Sequence, residues 1–133
     1  MKKLILIVLF ATLSGCAILD AYNMAGFDAN EYQLATKVRS KAEISKTDCP
    51  DVVLTRRNVS SILSVATEFK NYTASIPHNE EATDMSKNLL LEVQGLSDRY
   101  KTTTPSVPYC FTKMNIIERS AKNIQFVLGV KPR

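Results

Sequence analysis

Three cysteines, one histidine and a short run of carboxylates are the side chains in this sequence with chemistry to offer. A cysteine can pair in a disulfide, bind a metal as thiolate, attack as a nucleophile or carry a lipid. Cys16, Cys49 and Cys110 form no Cys-x-x-Cys pair and His78 is the only imidazole, so a zinc site has no ligand set to draw on. A nucleophilic triad fails on the same ground. No serine sits in a Gly-x-Ser-x-Gly elbow, and His78 lies in Ile-Pro-His-Asn, a turn sequence. Glu80, Glu81 and Asp84 offer carboxylates for acid–base work. Directly after Asn79 they also read as the first turn of a helix, where the helix dipole favours negative charge, and that is the simpler role. No glycine-rich loop is present to cradle a phosphate. The pattern gives no catalytic residue, no metal and no organic cofactor, and the chain reads as non-enzymatic.

The first sixteen residues carry the strongest signal. Met1-Lys2-Lys3 is a short basic start, and Leu4–Leu13 (LILIVLFATL) is an apolar run of ten residues. Ten residues of helix fall well short of a ~30 Å hydrocarbon core, so the run reads as an export signal and not as a membrane span. Its end, Leu13-Ser14-Gly15-Cys16, resembles the lipobox of bacterial lipoproteins. The resemblance implies a diacylglyceryl thioether on Cys16, removal of residues 1–15 and acylation of the new amino group, so that the only attached group is covalent lipid. Stable anchoring takes at least two acyl chains, because each buried CH₂ contributes roughly 0.8 kcal/mol. The residue after the cysteine is Ala17. In such lipoproteins an Asp there usually holds the product in the inner membrane, so Ala17 implies the outer membrane, facing the periplasm.

If Cys16 carries lipid, Cys49 and Cys110 remain as a pair. An exported chain meets an oxidising compartment, where a disulfide between them persists. Two free thiols are the alternative. Closing a loop of about sixty residues would stabilise the fold by roughly 4 kcal/mol on the chain-entropy argument.

Hydrophobic spacing predicts four helices to position these residues. Residues 16–28 are the lipidated cysteine and a tether, the part after Cys16 at most ~40 Å long when fully extended. Asp28 followed by Glu31 resembles a capping box, and Leu34, Ala35, Val38 and Ala42 then share a face, which predicts a first helix over about 30–45. Asp48-Cys49-Pro50-Asp51 reads as the next start, with Pro50 in the first turn. Val52, Val59, Ile62, Ala66, Phe69, Thr73 and Ile76 carry that stripe to a stop at Ser75 before Pro77-His78. Asn79 reads as the third cap, followed by Ala82, Met85, Leu89, Val93, Leu96 and Tyr100, with Gly95 as a weak point inside the helix. Thr102-Thr103-Thr104-Pro105 is a loop. Ser106 reads as the fourth cap, and Phe111, Met114, Ile117, Ala121, Ile124 and Leu128 form the last stripe, ended by Gly129 and Pro132.

Four stripes on short loops predict an all-α, up-and-down bundle of four helices over residues 29–133, disulfide-linked, following a cleaved signal peptide. In that topology Cys49 and Cys110 fall at one end of the bundle. The tether falls at the other, with the Pro77-His78 turn and the Lys131-Pro132-Arg133 tail, so the disulfide end is expected to point away from the membrane.

Formal charge is +4 over 133 residues. Losing Lys2 and Lys3 with the leader leaves 15 basic against 13 acidic side chains, which argues against a nucleic-acid partner. Lys37, Arg39, Lys41, Lys46, Arg56 and Arg57 gather positive charge around the first helix and the start of the second. They read as a solvated face or as a contact for anionic lipid, peptidoglycan or an acidic partner. Phe69, Tyr72, Tyr109 and Phe111 read as core or as the lining of a partner groove.

Two further resemblances bear on function. The order helix, cysteine, two helices, cysteine, helix is similar to that of the pilotin lipoproteins of type II secretion, through Lys41–Asp51 (KAEISKTDCPD) and Thr104–Cys110 (TPSVPYC). It is a likeness of layout over about residues 30–130. It implies a small outer-membrane lipoprotein that binds a helix at the end of a secretin, and it carries over no groove residue. Phe69-Lys70-Asn71-Tyr72, Ile76-Pro77-His78-Asn79-Glu80 and Val130-Lys131-Pro132-Arg133 look like parts of small lipoproteins encoded by tailed phages. Those include outer spanins, usually Pro-rich and extended, and superinfection-exclusion proteins, for which a compact disulfide-linked domain would be suited. The expectation is a lipid-anchored binding or adaptor protein with membrane lipid and an envelope protein as partners, or alternatively a phage-encoded exclusion or lysis factor.

Overall fold

The computed structural model of the protein describes residues 25–133; the basic start, the lipobox Leu13-Ser14-Gly15-Cys16 and the tether as far as Met24 lie outside them. The described chain is all-helical. Helix α1 is Ala29–Ser45, a 3-10 turn covers Lys46–Asp48, α2 is Val52–Ser75, α3 is Glu80–Thr102 and α4 is Val107–Gly129. Each helix packs on its neighbours in sequence and α1 packs on α4, closing an up-and-down ring of four.

The stripes read from the sequence form the core. Leu34, Ala35, Val38 and Ala42 of α1 meet Val59, Ile62, Ala66 and Phe69 of α2, Leu89, Val93 and Leu96 of α3, and Met114, Ile117, Ala121 and Leu128 of α4, all buried. Each fully buried Val, Leu, Ile, Met or Phe among them stabilises the fold by roughly 1.5–3 kcal/mol. One polar pair sits among them: the hydroxyls of Thr73 and Ser86, both fully buried, share a hydrogen bond of 2.8 Å between α2 and α3.

Local chemistry sets the helix ends, in three places otherwise than the spacing predicts. Asp28 caps α1, its carboxylate accepting from the Glu31 N–H at 2.8 Å. The reciprocal half of the capping box is missing, because the Glu31 carboxylate turns into the bundle to meet Asn79 and Lys131. Asn79 occupies the cap position of α3, yet its side chain makes no capping bond and is spent on Glu31, the Thr73 carbonyl and Lys131. The cap of α2 is Asp51, which accepts from both Val53 and Leu54 at 2.9 Å. Cys49 and Pro50 therefore lie in the link before the helix and not in its first turn. Asp48 closes that link, its carboxylate accepting from Asn58 and its carbonyl from the Thr55 hydroxyl. Ser106 caps α4 as its type and position lead one to expect, and Pro108 fits in the first turn.

The stripe of α4 needs one correction. Cys110, not Phe111, takes the first inward position, and Phe111, one residue round the helix, is 48% exposed. His78 turns the chain between α2 and α3 with φ at 58°, a left-handed backbone that costs a non-glycine residue roughly 1 kcal/mol. Its carbonyl accepts from the Ala25 N–H at 2.9 Å, and the Pro132 carbonyl accepts from Phe27 at 2.7 Å. The incoming chain, the His78 turn and the tail thus share one end of the bundle, as the topology requires.

Candidate functional site

The other end is built around the Cys49–Cys110 disulfide, whose Cα atoms are 5.8 Å apart. It joins the α1–α2 link to the first turn of α4, and both half-cystines are buried. Among the described residues, five of the nine large apolar side chains that stand exposed lie at this end: Ile44 at the close of α1, Val53 and Leu54 at the start of α2, Val107 and Phe111 at the start of α4. No other part of the described bundle leaves as many large apolar side chains open to water.

The geometry around them is specific. Val107 and Phe111 are four residues apart and so share one face of α4. The Lys46 ammonium lies 5.9 Å from the Phe111 ring centroid and is also salt-bridged to Glu118. The hydrogen bond from Lys46 holds the Glu118 carboxyl below its ordinary value. Ile44 lines a small cleft between α1 and α2 with Lys41, Ser45, Asn58 and Ser61. Between α2 and α3 a shallow cleft of about 360 Å³ is lined by Arg56, Ser60, Ser97, Tyr100 and Lys101. Its floor is fixed by the Arg56 guanidinium donating to the Tyr100 carbonyl at 3.1 Å. Burial pushes the Tyr100 phenol above its ordinary value. The arrangement sets exposed apolar side chains beside cations, as Phe111 beside Lys46.

The six basic residues singled out from sequence do not act as one patch. Arg39 donates to Gln125 on α4, Lys41 to Ser61 on α2, Lys46 to Glu118 on α4 and Arg56 to the end of α3. Four of the six are thereby spent holding helices together, while Lys37 and Arg57 remain exposed. The four aromatics divide as well. Phe69 is fully buried, Tyr72 donates its hydroxyl to Asp28, Tyr109 is half-buried, and of the four only Phe111 is exposed.

The remaining candidates fall elsewhere. His78 is exposed in its turn, and Glu80 and Glu81 stand in the first turn of α3, where they complement the helix dipole. Among the described residues no three His, Cys, Asp or Glu side chains gather as a metal site, and no helix is long and apolar enough to cross a membrane. Cys16 and the rest of the lipobox are outside the described residues. Sequence reasoning missed Ile44, Val53, Leu54 and Val107. The signal was available, since each is a large apolar residue lying off its helix's buried stripe. No family model, no curated protein and no solved structure matches the chain.

Proposed function

We propose that the protein is a lipid-anchored, non-enzymatic adaptor, held by Cys16 on the periplasmic face of the outer membrane, that presents the disulfide end of its bundle to a protein partner in the envelope. One observation carries this reading: the exposed apolar side chains Ile44, Val53, Leu54, Val107 and Phe111 gather at the end opposite the point where the tether joins. A surface so placed faces away from the anchoring membrane, where a partner can reach it. Tethering both partners to one membrane raises their effective concentration without any new contact. Phe111 is the natural centre of such an interface, an aromatic side chain with a cation beside it. The disulfide under the rim fixes it before binding, which lowers the ordering cost of association.

The test is a crosslinking pull-down of the tagged, lipidated protein from intact envelopes, run beside Cys16→Ser and Phe111→Glu. An envelope protein enriched with the parent and lost with both variants is the expected result. Enrichment unchanged by Phe111→Glu would remove the disulfide end from the reading. A second reading, a phage-encoded exclusion factor, draws support from the compact disulfide-linked bundle, which is unlike an extended spanin. It predicts that expression alone protects cells from infection.

A further inference from the structure

Two large apolar side chains remain exposed at the end where the tether joins. Phe126 is 72% exposed and Val130 is 66% exposed. At 3.6 residues per turn, Arg119, Lys122, Phe126 and Val130 fall within an arc of about 80° on the outer side of α4. All four are exposed. The one acid of α4, Glu118, lies to the side of that arc and is engaged by Lys46. Arg133 adds a further cation, its guanidinium 5.1 Å from the ring of Phe27. Lys131 is not part of this surface, because its ammonium is drawn inward to Glu31. Aromatic and aliphatic side chains in line with arginine and lysine make an interfacial face: the apolar groups enter the headgroup boundary and the long cations reach phosphates.

The flanks of the bundle at this end differ in charge. The first two turns of α3 present Glu80, Glu81 and Asp84 against one cation, Lys87, while the end of α2 presents Asn71, Ala74 and Ser75 beside the half-buried Lys70. An anionic lipid surface attracts the α4 flank and repels the α3 flank, which selects one way of resting on the membrane. Reach is assured. Ala25 is pinned to His78, so the chain from Cys16 to that point spans at most ~32 Å, less than the ~35 Å length of α4 itself.

Resting on the lipid-anchor reading above, we infer that the last three turns of α4 and the residue that caps them, through Phe126 and Val130 framed by Arg119, Lys122 and Arg133, seat the bundle on the anionic phospholipid surface that holds its anchor. Seated so, the α3 acids turn away from the lipid, and Phe111, about 22 Å along α4 from Phe126, stands off the contact.

The chain contains no tryptophan, so one introduced residue reports alone. The lipidated full chain carrying Phe126→Trp, and separately Phe111→Trp, is reconstituted into phosphatidylethanolamine/phosphatidylglycerol vesicles with acyl chains brominated near the headgroup. The expected result is flotation of both proteins with the vesicles, roughly two-fold or greater quenching of the tryptophan at position 126 relative to unbrominated vesicles, and little quenching of the one at 111. Replacing phosphatidylglycerol by a zwitterionic lipid should weaken the quenching at 126. Flotation with equal quenching at both positions, or at neither, overturns the seating and leaves the anchor intact. Failure of both proteins to float overturns the anchor, and the seating with it.

Discussion

The Lys131 ammonium donates to the Glu31 carboxylate across 2.8 Å, one hundred residues apart in sequence, with side chains 1% and 0% exposed. Asn79 completes the cluster, accepting from Lys131 at 2.6 Å and donating to the other Glu31 oxygen at 2.6 Å. The start of α1, the α2–α3 turn and the tail are thereby joined at a single buried point. A buried charge deprived of its partner keeps its desolvation cost with nothing to offset it, and removing one member of such a pair typically costs about 3–5 kcal/mol. Lys131→Met should lower unfolding stability by an amount in that range in urea. The double change Glu31→Gln with Lys131→Met should cost less than the two single changes summed, because each single change leaves one buried charge without its partner and the double change leaves none. A Lys131→Met protein as stable as the parent would show that the ion pair does not hold this end.

Cys49 and Cys110 are separated by 61 residues, so their bond removes a large loop-closure entropy from the unfolded chain. Converting both to serine should lower stability by about 4 kcal/mol, read from the denaturation midpoint. The helical circular dichroism should persist at low denaturant, since the core residues do not depend on the bond. Parent-like stability after the double change would mean that the unfolded chain is already held compact without the bond.

The core was legible because helical periodicity records which side of each helix is buried, and α1 to α4 follow their stripes within a few residues. Spacing alone did not reveal Phe111 as exposed, since its neighbour Cys110 competes for the same inward slot and spacings of three and of four from Met114 both fit a helical stripe. Glu31 and Asn79 were misread for another reason. Their types and positions fit local capping, but buried tertiary partners outbid the local bond, and Lys131 gives no sign in sequence that its charge is internal. The apolar rim could have been found by listing large apolar residues off the stripes.

Gly95 lies inside α3, exposed, with nothing within 4 Å of the position its Cβ would take. Glycine in a helix interior carries excess backbone freedom into the unfolded state, which disfavours folding by roughly 0.5–1 kcal/mol relative to alanine. Gly95→Ala should therefore stabilise the protein by about that amount, with no change in partner capture, as the site lies off the rim. A loss of stability would mean that α3 departs from regular helix there. A loss of capture at unchanged stability would extend the docking surface along α3.

Glu118 supplies a pH signature. Its folded carboxyl is held below the ordinary value, first by the hydrogen bond from Lys46 and further by the charges of Lys46, Arg39 and Lys122. A depressed carboxylate stabilises the fold at pH values above its unfolded pKa, near 4.3, and that contribution disappears as pH falls through the folded value. The two side chains are 18% and 19% exposed, so the pair is screened in part and worth about 1 kcal/mol. Glu118→Gln should then be less stable than the parent by about that amount at pH 7. The difference should begin to close below about pH 5 and vanish in stronger acid. Salt should shrink the gap at pH 7 without removing it, since a partly buried pair is only partly screened. A gap that stays constant from neutral pH into strong acid would mean that Glu118 stabilises by packing and not by charge. The placement of Lys46 beside Phe111 would then need another support.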